Sequence, residues 1–272
     1  MKLGIECGGV ASMSEAETLS LIKEAGFEAV FSCQYDLKTV DALKNECEKL
    51  GLSLDFLHAP YAVNRPFRVH INDFWRSDLT YLPLWDAIRQ SIDAAQACGI
   101  GTVVEHISGD WTAPPITDTG LSRFDALVSY ALERNVRLAF ENLRNLGNLA
   151  VLLERYESFP QVGFCYDCGH EHCYTGHIPM MTLFGSRCFC THLHDNFGRD
   201  PQHPKRDTDA HLLPFDGTID YTAVMASLRQ SGYTGTLMLE VSYENRQPIY
   251  EALTPRRYFA LAYERLSRLA KL

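Results

Sequence analysis

The chain has 272 residues, with 25 Lys and Arg against 34 Asp and Glu, and a formal net charge of −9. At 46% apolar and 22% charged residues it has the make-up of a folded globular protein, which excludes a disordered or fibrous chain. No apolar run reaches the ~18 residues of a membrane-spanning helix, Glu6 stands too early for a secretory signal, and the acidic balance disfavours a surface that coats nucleic acid.

Taken in chain order, short apolar runs alternate with longer amphipathic segments. Residues 3–7 read as a strand. Residues 14–25 read as a helix: Ser14 is placed to cap it, Glu17 completes a capping box and Gly26 stops it. Strand 29–33 and helix 40–50 follow, closed by Gly51. Then come strand 52–58, a long helix 78–98, strand 102–106, helix 121–134, strand 136–141 and a short helix 149–156. The remainder reads as strand 162–167, a weak helical patch 179–185, strand 188–193, helix 221–230, strand 236–241 and a helical tail 253–272.

These are eight βα units with nearly continuous apolar strands, as strands covered on both faces require. The expected fold is a single-domain (β/α)8 TIM barrel over residues 1–272, of the α/β class. A doubly wound open sheet is the alternative, but the turn Gly4-Ile5-Glu6-Cys7-Gly8-Gly9 lacks its G-x-G-x-x-G spacing. Connections 59–77, 107–120 and 196–219 are long and all leave strand C-termini, the barrel face on which active sites form.

The strand endings carry the chemistry. They deliver His58, His106, Glu141, Asp167 with His170, His192 with His194 and Asp195, and Glu240, while the loop after the seventh strand adds Asp209 and His211. Any one of these is explained by local hydrogen bonding. Together they are imidazole and carboxylate donors suited to a divalent metal, and carboxylates gathered without a cation would repel one another. Zinc or manganese is expected, with cobalt and iron as alternatives.

Other features are weaker. The nine cysteines are odd in number and lack a disulfide-framework spacing, so they are expected reduced, in a cytoplasmic protein. Cys165 and Cys168 form a C-x-x-C, but alternation along the strand sends them to opposite sides, which favours packing over redox chemistry. Phe67, Phe74, Trp75 and Trp111 in the mouth loops either stack on a sugar ring or pin their loops. Arg65, Arg68, Arg199, Lys205 and Arg206 either bind an anionic group or are solvated loop charges.

The segments His58-Ala59-Pro60-Tyr61, Glu141-Asn142, Asp167-Cys168-Gly169-His170, His192-Leu193-His194-Asp195 and Asp209-Ala210-His211 resemble the xylose isomerase-like barrel superfamily in residues and in order. That superfamily includes sugar isomerases and epimerases and the apurinic-site endonucleases of the endonuclease IV type. By this resemblance, Glu141, Asp167, His192 and Glu240 are the central metal quartet. Glu141 and Glu240 are also acid and base in proton transfer through an enediolate. His170 resembles a substrate-contacting residue. In the endonuclease pattern His58, His106, His170, Asp209 and His211 are additional metal ligands. Ala62 is small where that pattern carries a larger wedge, the segment after the second strand lacks its DNA-inserting arginine, and the mouth loops are poor in cations.

The expected activity is therefore metal-dependent isomerisation or epimerisation of a small sugar, sugar phosphate or polyol. An endonuclease IV-like zinc phosphodiesterase and a non-catalytic metal-binding barrel are the alternatives. The expected partner is a small carbohydrate contacted by Tyr61, Trp75, Trp111 and Arg199, with no membrane, nucleic acid disfavoured except in the endonuclease alternative, and a homo-oligomer compatible with the sequence. His194 and Asp195 are expected to support His192 by hydrogen bonding or to reach the substrate, the former being the simpler account.

Overall fold

The computed structural model describes residues 1–64, 68–176 and 178–272. Arg65 and Phe67, two of the mouth-loop candidates, lie outside the described residues. The strands are β1 (Leu3–Glu6), β2 (Ala29–Ser32), β3 (Ser53–His58), β4 (Ala62–Val63), β5 (Val69–His70), β6 (Thr102–Glu105), β7 (Arg137–Glu141), β8 (Val162–Asp167), β9 (Cys188–His192) and β10 (Leu237–Leu239). The helices are α1 (Glu15–Ala25), α2 (Leu37–Leu50), α3 (Leu82–Ala97), α4 (Asp118–Glu133), α5 (Leu146–Arg155), α6 (Cys168–Tyr174), α7 (Met180–Phe184), α8 (Tyr221–Gln230) and α9 (Pro255–Leu269).

One eight-stranded sheet runs in the order β10-β1-β2-β3-β6-β7-β8-β9. Its two ends meet: Leu193, one residue past β9, bridges Leu239 of β10 in parallel, with Leu193 N–H donating to the Met238 carbonyl and Glu240 N–H to the Leu193 carbonyl. Closure of the order makes the fold a (β/α)8 TIM barrel, as the alternation of strands and helices predicts. Among the described residues no helix is long and apolar enough to cross a membrane.

The chain groups into two compact units. The first comprises Met1–Ser32, Leu43–Asp55 and Tyr166–Leu272. Here β1 lies between β10 and β2, with Leu3 opposite Leu237 and Gly4 opposite Ala29. The capping box predicted for α1 is present, Ser14 and Glu17 bonding reciprocally. Gly26 ends α1 with φ 113°, and a side chain there would strike the Tyr263 ring of α9; that ring meets Phe27 edge-on.

The second unit comprises Cys33–Ala42 and Phe56–Cys165. Strand β6 pairs with β3 and β7, and β7 pairs with β8. An aromatic cluster joins Phe74, Trp75 and Phe140 to Phe124 of α4 through tilted and edge-on ring contacts. The buried Arg123 guanidinium donates to the carbonyls of Asp73, Phe74, Arg76 and Asp78, which fixes the chain ahead of α3.

Two boundaries differ from the sequence pattern for identifiable reasons. The helix expected from residue 78 begins at Leu82, because Pro83 suits only a first turn and Tyr81 is the last residue before it. The connection 59–77 is not featureless: it holds the β4–β5 hairpin and a 3-10 turn over Ile71–Trp75.

Candidate functional site

In the second unit, β3, β6 and β7 end side by side. Register pairs Val104 with Ala139 and Glu105 with Phe140, so the next step sets His106 opposite Glu141 on one face. There His58 Nε2 lies 3.1 Å and His106 Nε2 3.0 Å from the same oxygen, Glu141 Oε2. The two imidazoles meet edge-on, and Tyr61, 48% exposed, stacks on the His106 ring with centroids 4.9 Å apart. Glu105 occupies the opposite face of β6, fully buried, with no hydrogen-bond partner to either carboxyl oxygen among the described residues. Burial alone pushes its carboxyl well above the usual range.

In the first unit, β8, β9 and β10 deliver the remaining donors. His192 and His194 are two residues apart and share a face, while the Leu193 side chain between them faces the other side and its backbone pairs with β10. Asp167 caps α6, its Oδ1 accepting from His170 N at 2.6 Å, and its Oδ2 lies 3.1 Å from His194 Nε2. His192 Nδ1 is 3.4 Å from Glu240 Oε1. Asp209 Oδ2 stands between His170 Nε2 at 3.1 Å and His211 Nε2 at 3.0 Å. The His194 and His211 rings are stacked with centroids 4.0 Å apart. Burial opposes ionisation of Asp209, yet the surrounding His211, His170 and His194 hold its carboxyl well below the usual range. Burial likewise opposes a charge on His211, and Asp209 and Glu240 push its imidazole well above the ordinary value. Two residues are set by close approach. Gly169 leaves room for the His194 ring, since a Cβ at 169 would fall 2.0 Å from His194 Cε1. Asp195 is buried and receives the backbone N–H groups of Ile219, Gly217, Asn196 and Phe215, tying the end of β9 to the segment after His211.

The donor chemistry fits a divalent metal. His58 Nδ1 lies 2.9 Å from the Ala59 carbonyl and His211 Nδ1 2.7 Å from the Glu240 carbonyl. A carbonyl only accepts, so in each ring Nδ1 carries the proton. Were the ring neutral, each Nε2 would turn a lone pair toward a carboxylate oxygen about 3 Å away, and for His211 the flanking acids favour the second proton instead. That contact is favourable only with a second proton or a cation between the groups. Anchoring of Nδ1 by a carbonyl is also how proteins orient imidazole ligands. Asp167, His170 and His194 offer ligand atoms within 4.8 Å of one another, and so do His194, Asp209 and His211.

His194, expected to support His192 or to reach the substrate, belongs to both of these sets. The signal was present in the alternation of His192 and His194. Trp75, expected near substrate, requires correction. It is 1% exposed, its indole N–H donates to the Ile107 carbonyl at 2.7 Å, and it packs on Phe124, so it pins its loop within the core. Trp111 is half-buried with the Arg144 guanidinium 5.6 Å above its ring. Arg199 is exposed and donates to the Pro204 carbonyl of its own loop. Helix α6 was not foreseen, although Asp167 is a good capping residue. Its other side carries Glu171, whose half-buried carboxyl is pushed up to about 7 by desolvation.

Residues 19–260 match the profile of the xylose isomerase-like TIM barrel family. A curated relative, the uncharacterized protein y4fM of Sinorhizobium fredii, is 33% identical over 191 residues, 65% of this chain and 58% of that protein. The chain spans little more than half the length of the curated relatives it matches. Three solved structures share the fold. A D-tagatose 3-epimerase-like protein superposes with a TM-score of 0.72 at 19% identity, covering 100% of this chain and 97% of that one. The IOLI protein with a zinc atom gives 0.74 at 16%, covering 99% and 96%. A D-allulose 3-epimerase from Methylomonas sp. in complex with D-allulose gives 0.69 at 15%, covering 100% and 96%.

Proposed function

Since the chain belongs to the xylose isomerase-like TIM barrel family, we propose that it is a divalent-metal-dependent isomerase or epimerase of a small sugar, sugar phosphate or related polyol. The observation that carries this reading is the pair of strand-terminal glutamates, each set beside imidazoles: Glu141 with His58 and His106, Glu240 with His192. The resemblance assigns the central ion to Glu141, Asp167, His192 and Glu240. A bound divalent ion would supply polarisation of a carbonyl–hydroxyl pair. Glu141 and Glu240 are the candidates to take a carbon-bound proton and to return one. Tyr61, exposed beside His106, is the proposed platform for a sugar ring. Fold likeness to proteins named as ketose epimerases is in keeping with this reading.

The test follows exchange of substrate carbon-bound hydrogen with solvent deuterium across a sugar panel, in protein loaded with Mn²⁺, Co²⁺ or Zn²⁺. Exchange with at least one sugar, abolished in Glu240→Gln, is the expected result. No exchange with any loaded sample sinks the proposal.

A second reading, metal-assisted phosphodiester hydrolysis, is favoured by the presence of the outer donors His58, His106, His170, Asp209 and His211. EDTA-sensitive incision of an abasic-site duplex would put it first. Elemental analysis separates the two: one ion per chain accords with the epimerase quartet, and three zinc ions accord with the hydrolase.

A further inference from the structure

Three buried donors of the first unit stand together: Asp167 and His194 are fully buried and His170 is 6% exposed. Each ring nitrogen is distinguished by what it faces. Asp167 Oδ1 accepts His170 N, and its Oδ2 is turned to the imidazoles, 3.1 Å from His194 Nε2 and 3.6 Å from His170 Nδ1. The opposite nitrogens of both rings face Asp209. His170 Nε2 stands 3.1 Å from its Oδ2, and His194 Nδ1 3.6 Å from its Oδ1. The two rings meet edge-on at 78°, with centroids 5.9 Å apart.

Protein groups alone leave His194 in conflict whichever nitrogen carries its proton. With the proton on Nε2 a bond to Asp167 forms, but a buried Nδ1 lone pair is set toward the Asp209 carboxylate. That nitrogen has no hydrogen-bond partner among the described residues. With the proton on Nδ1, the Nε2 lone pair faces Asp167 Oδ2 instead. With both, a cationic ring would stack face to face on the His211 imidazole, 4.0 Å away and parallel to within 8°, and would oppose charge there. A cation between Nε2 and Asp167 removes the conflict and lets Nδ1–H point at Asp209.

We infer that Asp167, His170 and His194 ligate a common divalent ion, through Oδ2, Nδ1 and Nε2, and that Asp209 is a positioning residue that holds the two rings from behind. Ligand atoms about 2.0–2.2 Å from one zinc ion stand roughly 3.3–3.6 Å apart at tetrahedral angles, close to the 3.1 and 3.6 Å found at Asp167 Oδ2. A carboxylate behind an imidazole fixes its tautomer and its aim at the ion, and Asp209 does this for two rings at once. The resemblance to the barrel superfamily assigns neither role: it gives His194 no place among the ligands and makes Asp209 a ligand itself. The inference rests on the metal dependence proposed above and not on sugar chemistry.

The test titrates the full chain, carrying 15N-labelled histidine, with Zn²⁺ alone. Long-range 1H–15N correlation spectra read each ring nitrogen as protonated, bare or metal-bound. At saturating zinc, His194 Nε2 and His170 Nδ1 should be metal-bound, while His194 Nδ1 and His170 Nε2 keep their protons. This measurement on the wild-type chain decides the matter even where a variant does not fold. His194→Gln should weaken zinc binding to His170 at least tenfold. Asp209→Asn should weaken it about 10–100-fold, with both metal-bound nitrogen signals restored at higher zinc, which loss of a ligand would not allow. A proton kept on His194 Nε2 at saturating zinc, zinc bound at His194 Nδ1, or zinc binding to His170 unchanged in a folded His194→Gln protein overturns the inference. Zinc at His192 with His194 unmoved overturns it while the metal-dependent reading stands; no response from any imidazole overturns both. Sugar turnover enters none of these outcomes.

Discussion

Asp195 offers a quantitative test of how the loop that carries Asp209 and His211 is held. Its Oδ1 accepts from Asn196 N at 2.9 Å and Ile219 N at 3.1 Å, and its Oδ2 from Phe215 N at 3.0 Å. Gly217 also donates to it, and a Cβ at 217 would fall 2.3 Å from Oδ1, so glycine permits the approach. The backbone of Asp195 bonds Leu212 in both directions, at 2.7 and 2.8 Å. In Asp195→Asn the amide oxygen can replace one carboxylate oxygen only. Placed at Oδ1, it leaves an NH₂ group facing the Phe215 N–H. An unsatisfied buried donor costs roughly 1–3 kcal/mol, and the bonds that survive lose their charge assistance. The sum is about 2–4 kcal/mol, a large part of the 5–15 kcal/mol by which domains are usually stable. Urea unfolding followed by circular dichroism measures the loss, and hydrogen exchange at Phe215, Gly217 and Ile219 locates it. A change below about 0.5 kcal/mol, with exchange at those amides unaltered, would refute the reasoning.

Glu105→Met should stabilise the protein by about 1–3 kcal/mol, because it replaces a partnerless buried carboxyl with an apolar chain of similar length; a lowered melting temperature would contradict this. His70 Nδ1 accepts the Asn72 N–H, and burial holds the imidazole below its ordinary value. A base depressed in the folded state contributes stability above its unfolded pKa of about 6.5 that is lost as pH falls toward the folded value. His70→Asn keeps a capping acceptor and should flatten the stability profile just below pH ~6.5 relative to wild type; parallel profiles would exclude His70 as the titrating group. Chelation should destabilise the metal-loaded protein: free ion at 100 times its Kd contributes about 2.7 kcal/mol. A melting temperature indifferent to EDTA after metal loading would count against a bound ion.

The barrel was legible because its strands are short apolar runs closed by turn residues, and because α1 carries its cap, Ser14, in the sequence. The ligand candidates were legible because strand endings are fixed by the period of the fold, so His58, Glu141, Asp167, His192 and Glu240 could be assigned to them before any packing was known. Packing decided the rest. Trp75 sits in a loop sequence that suits a substrate platform equally well, and only the Ile107 carbonyl and the Phe124 ring draw it inward. Helix α6 follows directly on β8, with no turn residue to announce it; its start depends on the Asp167 side chain accepting the His170 N–H. The β4–β5 hairpin is two residues on each side, too short to leave a periodic pattern.

The contact between Gly169 and His194 ties two positions 25 residues apart into one choice. A methyl group at 169 and an imidazole at 194 claim the same volume, so a lineage can keep one or the other. Among related sequences histidine at 194 should occur with glycine at 169, and an alanine or serine at 169 should be accompanied by a residue other than histidine at 194. Gly169→Ala is by the same logic a means of displacing His194 while every candidate ligand keeps its identity.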